Sequence, residues 1–174
     1  QLTFDASEGG WPSWAPDGKS IVYSSTRGGS QTLWCVNVAG GTPTVTTTQP
    51  MSSRRDLVNA AILPDGKVLA TGGSEVWNTL TNVNNIAEIW DPTTGQWHRG
   101  ASGALARLYH SISLLLPDGS VLVGGGGAPG PLNNRNAEIY YPPYLFDATG
   151  ARAARPTLVS APATIEIGAT LHLN

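Results

Sequence analysis

SISLLLPDGSVLVGGGG, residues 111–127, is an apolar run, a Pro-Asp-Gly step and a second apolar run that closes in glycine. Proline fixes φ at the first turn position, and Asp118 and Gly119 tolerate the backbone that follows, so the stretch predicts strand, tight turn, strand. The tripeptide recurs in NAAILPDGKVLATGG (59–73) and GWPSWAPDGKSIVYSS (10–25). Asp17 to Asp65 is 48 residues and Asp65 to Asp118 is 53, a period that marks a repeat architecture. Each hairpin is followed by a loop and a third strand with aromatics: QTLWCVNV (31–38), AEIWDP (87–92) and AEIYYP (137–142). A fourth short strand fits around Val45, Trp97 and Leu145. Four strands in roughly 40 to 55 residues make a propeller blade, so the chain is expected to be all-β, a β-propeller segment of about three four-stranded blades.

Composition agrees with this reading. The 21 Gly and 13 Pro lie scattered between short apolar runs, as many strands and tight turns require. Charged residues are 13% of the chain, the net charge is -2 and no Lys or Arg run occurs, which argues against nucleic acid as a partner. No apolar stretch reaches the about 18 residues of a membrane span, so no membrane partner is expected. Cys35 is the single cysteine, which excludes an intrachain disulfide. The chain begins at Gln1 without a basic and apolar leader, and low charge with abundant Thr, Ser, Asn and Gly suits a secreted or periplasmic protein.

The Pro-Asp-Gly steps are turn chemistry and not sites. Trp11, Trp14, Trp34, Trp90 and Trp97 fall at strand positions where blade packing wants large side chains, so they are expected in the core. Gly124 to Gly127 read as close backbone approach near a central channel; with no helix after them, they are not a phosphate cradle.

Two resemblances divide the chain. Residues 1–48, through WPSWAPDG (11–18) and IVYSSTRGG (21–29), resemble the WD40-like repeat of bacterial propellers, which implies a scaffold or protein-binding blade. Residues 51–174 resemble the galactose oxidase and glyoxal oxidase family, the kelch-propeller copper radical oxidases. The carrying residues are Arg54-Arg55 with Asn59, LPDGKVLATGGS (63–74), AEIWDPTTGQW (87–97), ARLYHSISLLLPDGSVLVGGGG (106–127), NAEIYYPPYLF (136–146) and ARPTLVSAPATIEIGATLHL (154–173). The resemblance implies two kelch blades over 51–154 and, over 155–174, the first strand of an immunoglobulin-like domain.

It also implies a copper cofactor, held in that family by two tyrosines and two histidines, one tyrosine being cross-linked to cysteine as a radical. Arg107-Leu108-Tyr109-His110-Ser111 matches the segment that supplies the axial tyrosine and one histidine, which makes Tyr109 the catalytic proton acceptor and Tyr109 and His110 metal ligands. Imidazole and phenolate suit Cu(II). Strand neighbours point to opposite faces, so the two can meet only where the strand begins and its pleat is irregular. Counting from the arginine, the preceding repeat offers Leu57 and Val58, neither phenol nor imidazole. Cys35, in the foreign first repeat, reads as a buried inert thiol; His98 and His172 match no family ligand and read as solvated or structural.

The radical tyrosine, its cysteine and the second histidine are therefore missing from the match, and tight copper is not expected. The reading is an incomplete copper radical oxidase, one of those that oxidise alcohols or aldehydes with oxygen to give peroxide, inactive as this chain. The alternative is a non-catalytic propeller scaffold or assembly module, a fragment or a chimera of two propeller lineages joined near Gln49-Pro50. Closed propellers need about four to eight blades, so the expected partners are other blades, or further copies of the chain meeting through open blade faces.

Overall fold

The computed structural model describes residues 9–14, 18–25, 32–40, 49–128, 132–155, 157–164 and 166–170. Its strands form three antiparallel sheets, each from a contiguous stretch of chain. The first joins β1 (Gly9–Trp14), β2 (Ser20–Ser25) and β3 (Thr32–Asn37) in chain order. The second joins β4 (Asn59–Ile62), β5 (Val68–Thr71), β6 (Ile86–Asp91) and β7 (Gln96–Ser102), and the third β8 (Tyr109–Leu115), β9 (Val121–Gly127) and β10 (Ala137–Tyr140). All-β blades in meander order follow from the repeat.

The turns form as their chemistry dictates. Leu63 and Lys67 flank Pro64-Asp65-Gly66, with the Gly66 N–H on the Leu63 carbonyl at 2.9 Å and the Leu63 N–H on the Lys67 carbonyl at 2.8 Å; Leu116 and Ser120 repeat both bonds at the same distances. Gly66 (φ +82°) and Gly119 (φ +81°) take the left-handed position that ends a three-residue hairpin loop.

Burial concentrates in the second and third sheets, at Ala61, Leu63, Leu69, Ala70, Ala87, Ile89, Val121 and Val123. Polar bonds join these two sheets: Asn59 Nδ2 donates to Ser111 Oγ at 2.7 Å, Thr71 Oγ1 and Ser113 Oγ lie 2.7 Å apart, and the Gly73 N–H donates to the Arg107 carbonyl at 2.9 Å. The Tyr140 hydroxyl of the third sheet also packs directly on Gly100 of the second, and burial raises its pKa.

Several expectations change. The fourth strand is present at Trp97, in β7; around Val45 it lies outside the described residues. Around Leu145 the chain instead makes a 3-10 turn, Pro143–Leu145, because Pro142 and Pro143 have no N–H to give a ladder. Trp34, Trp90 and Trp97 are half-buried, but Trp14, on the edge strand β1, is exposed. Cys35 is half-buried and not enclosed.

Residues from Tyr141 onward form a separate compact unit. Asp147 Oδ1 accepts from the Thr149 N–H at 2.8 Å and the Ala151 N–H at 3.1 Å, closing a loop that brings the Arg152 guanidinium 4.2 Å over the Tyr141 ring. Residues 157–164 and 166–170 contain no strand, and Leu158 and Val159 stay exposed. The immunoglobulin-like strand expected over 155–174 is thus not seen among the described residues, where a lone strand would have no ladder to hold it.

Candidate functional site: a tyrosine–histidine turn fastened by an arginine clasp

Arg55 and Arg107 precede the first strands of the second and third sheets, and each builds the same buried clasp. Arg55 donates through Nη1 to the Gly72 carbonyl at 3.0 Å and through Nη2 to the Ile86 carbonyl at 2.7 Å and to the Glu88 carboxylate. Arg107 donates through Nη1 to the Gly125 carbonyl at 2.9 Å and the Asn136 carbonyl at 3.0 Å, and through Nη2 to Glu138 at 2.9 Å. The glutamates' other oxygens take linker N–H groups, Ser52 at 2.8 Å and Ala104 at 2.7 Å. One arginine thus ties the diglycine end of the hairpin, the third strand and the incoming linker together.

Burial would raise the Glu88 carboxyl, but the Ser52 N–H and the Arg55 guanidinium outweigh it and hold the group below the ordinary glutamate range. The Ala104 N–H lowers Glu138, burial opposes and Arg107 adds to the lowering. Gly72-Gly73 (φ +70°, +92°) and Gly125-Gly126 (φ +67°, +93°) match in backbone as well. A Cβ on Gly126 would sit 3.0 Å from the Leu108 nitrogen and 3.1 Å from the Ser111 Cβ.

The strand register assigns the site's equivalents. Asp56 bridges Ser74, the residue after one diglycine, and Tyr109 pairs with Gly127, the residue after the other. Tyr109 therefore corresponds to Asp56 and His110 to Leu57, one place off the count from the arginine, with Leu108 the extra residue. Leu57 (φ +61°) and His110 (φ +63°) share the left-handed conformation, which non-glycine residues seldom take. The second sheet offers no phenol or imidazole at these places by either count.

The left-handed His110 brings the predicted pair together. It breaks the pleat at the start of β8, and the Tyr109 and His110 rings stack with centroids 3.8 Å apart and planes 26° apart. Both side chains are exposed. The Trp77 ring of the β5–β6 loop stands 6.3 Å from Tyr109, and Asn78 of the same loop helps line a depression of about 530 Å³ in front of the pair. His98 is exposed on β7; Cys35 lies on β3, opposite Val22; His172 is outside the described residues.

Sequence reading placed Tyr109 and His110 together; it missed Glu88, Glu138, Trp77 and Asn78. The repeated Ala-Glu-Ile of AEIW and AEIY was a usable signal, since a glutamate kept between apolar neighbours in a third strand needs a buried cation.

The Kelch motif family model matches residues 60–103. Galactose oxidase of Gibberella zeae is 32% identical over 125 residues, 69% of this chain and 18% of the relative. Aldehyde oxidase GLOX1 of Arabidopsis thaliana is 32% identical over 136 residues, 70% of this chain and 22% of the relative. A solved fungal alcohol oxidase of the AA5 family, in complex with copper, superimposes with a TM-score of 0.58 at 27% identity, over 82% of this chain and 29% of that one. The kelch segment of this chain is galactose oxidase-like. The chain spans only about a fifth of the length of these curated relatives.

Among the described residues of the galactose oxidase-like segment, the donors gathered at Tyr109 and His110 do not make up a copper centre. Among the described residues no group of three or more His, Cys, Asp and Glu could hold a metal, and Tyr109 with His110 supplies two donors on an open surface. Cu(II) in a nitrogen and oxygen set takes a tetragonal environment that two adjacent side chains leave mostly to water. No oxidation step follows from the residues present.

Proposed function

We propose that this chain is a galactose oxidase-like propeller segment that carries a tyrosine–histidine pair from a copper radical oxidase site and does not itself oxidise alcohols or aldehydes. The observation that carries the reading is the left-handed turn at His110, which gathers Tyr109 and His110, while among the described residues no group of three or more His, Cys, Asp and Glu could hold a metal. Tyr109 is the proton-accepting phenol and His110 the metal-binding imidazole of a partial site, in a secreted or periplasmic protein. A Cu(II) titration followed by electron paramagnetic resonance tests this. Weak, chelator-labile binding lost in His110→Ala is expected; one tightly held copper per chain that survives a chelator contradicts it.

A second reading, an assembly module, is favoured by one face of the third sheet. By register Ile112 and Leu114 correspond to Asn59 and Ala61, which the third sheet covers, yet Ile112 is 44% and Leu114 51% exposed. Another blade, or a further copy of the chain, fits that face. Light scattering that gives a concentration-dependent oligomer, reverting to monomer in Leu114→Glu, supports this reading; a monomer at all concentrations removes it.

A further inference from the structure

The contact between the second and third sheets is polar at its centre. Asn59 and Thr71, partners across β4 and β5, meet Ser111 and Ser113 of β8 at 2.7 Å each. The 53-residue step between the Pro-Asp-Gly turns assigns a repeat equivalent to each of the four. Ile112 and Gly124 of the third sheet stand where Asn59 and Thr71 stand in the second, and they too are cross-strand partners. Val58, which leads into β4, and Ala60 stand where Ser111 and Ser113 stand in the third. Every hydrogen-bonding side chain of the internal contact is therefore matched, on the two remaining faces, by a residue with no polar side-chain atom. Both of those faces are open: Ile112 and Leu114 on one, and Val58 (38% exposed) and Ala60 on the other, all exposed.

We propose that a second copy of this chain packs head to tail on the first, laying the Val58 and Ala60 face of its second sheet on the Ile112 and Leu114 face of the first copy's third sheet. The matched change at four positions selects this partner. A face carrying serines, like the inner face of the third sheet, would bury two hydroxyls against Ile112 and Gly124 with nothing to bond, which costs free energy for each. The Val58 and Ala60 face buries none. Both surfaces extend as apolar sheet: Leu122 lies opposite Leu114 and Ile139 opposite Leu122 on one, and Ile62 pairs with Val68 on the other. A symmetric contact of the third-sheet face with itself would leave Val58 and Ala60 in water. Unlike faces meeting head to tail leave one of each free at the ends, so the assembly grows into a ring or a chain of copies. The inference rests on the assembly reading and names its partner and its two faces.

The test is a complementation experiment on the full chain, read by sedimentation velocity. Leu114→Glu and Ala60→Glu each place a carboxylate in the middle of one face, where a contact would have to bury it unpaired. Both positions are exposed, and far-UV circular dichroism checks that each variant folds; Val58→Glu, on the same face as Ala60, serves where Ala60→Glu does not. The parent chain should associate as its concentration rises, and each variant alone should stay monomeric. An equal mixture of the two should form a one-to-one dimer that grows no further, because Leu114→Glu keeps an intact Val58 and Ala60 face and Ala60→Glu an intact Ile112 and Leu114 face. Association of Ala60→Glu by itself, or a mixture that stays monomeric, overturns the head-to-tail contact while the assembly reading stands. A parent chain that is monomeric at all concentrations removes both.

Discussion

Removing the carboxylate of Glu88 should cost far more stability than removing its repeat equivalent, Glu138. The two make the same bonds, but water reaches them differently: Arg55 and Glu88 are 0% and 1% exposed at the side chain, Arg107 and Glu138 3% and 33%. Glu88→Ala leaves a guanidinium with no compensating charge in a closed site, which costs about 3–5 kcal/mol. Glu138→Ala lets water approach its arginine. Its cost falls between the about 0–1 kcal/mol of an exposed pair and the buried value, on the order of 2 kcal/mol. In a chain of this length the first variant should lower Tm by roughly 6–20 °C and the second by roughly 4–8 °C. Urea unfolding followed by circular dichroism reads the difference directly, provided the slope is unchanged so that only the midpoint moves. Replacing the whole pair, Arg55→Met with Glu88→Leu, should recover much of the loss, since it buries no lone charge. Equal costs for Glu88→Ala and Glu138→Ala, or a cost below about 1 kcal/mol for Glu88→Ala, refute the clasp as a burial-controlled element.

The carboxyls of Glu88 and Glu138 are both held below the ordinary glutamate range, so their stabilisation is full above about pH 4.3 and is lost as pH falls through the lower folded-state values. The urea midpoint should drop between pH 5 and pH 2, and by less in Glu88→Gln; a drop of the same size in that variant contradicts the linkage. Gly66→Ala and Gly126→Ala place a side chain at similar positive φ, +82° and +93°, but only the second meets atoms within 4 Å. Unfolding should show a loss of about 1–2 kcal/mol for the first, the conformational term alone, and a clearly larger loss for the second; equal losses would remove the packing role of the second diglycine.

Much of the fold was legible because each Pro-Asp-Gly step fixes a hairpin locally, through backbone preferences that need no distant partner. The 3-10 turn at Pro143–Leu145 was misread for a strand because only the missing donors of Pro142 and Pro143, and not the apolar pattern, decide it. Trp14 was assigned to the core because it falls in a strand where blade packing wants a large side chain, a reading that is blind to whether the strand lies at a sheet edge. Of the site, Tyr109 and His110 were readable from their motif and the left-handed turn was not, since φ +63° at a histidine has no signature in composition. The clasp residues are far apart in sequence, Arg107 from Glu138 by 31 positions, so only the folded sheet reveals that they meet. Asn78 escaped notice for the same reason: its burial depends on how one loop closes.

The most direct test of a partial, catalytically silent copper site is peroxide release by the purified, copper-loaded chain, with galactose, glyoxal and methylglyoxal as substrates and Tyr109→Phe run in parallel. The account predicts no peroxide above the copper-only background from either protein. Peroxide from the parent chain that disappears in Tyr109→Phe would contradict it, and would mean that donors beyond Tyr109 and His110 complete the centre.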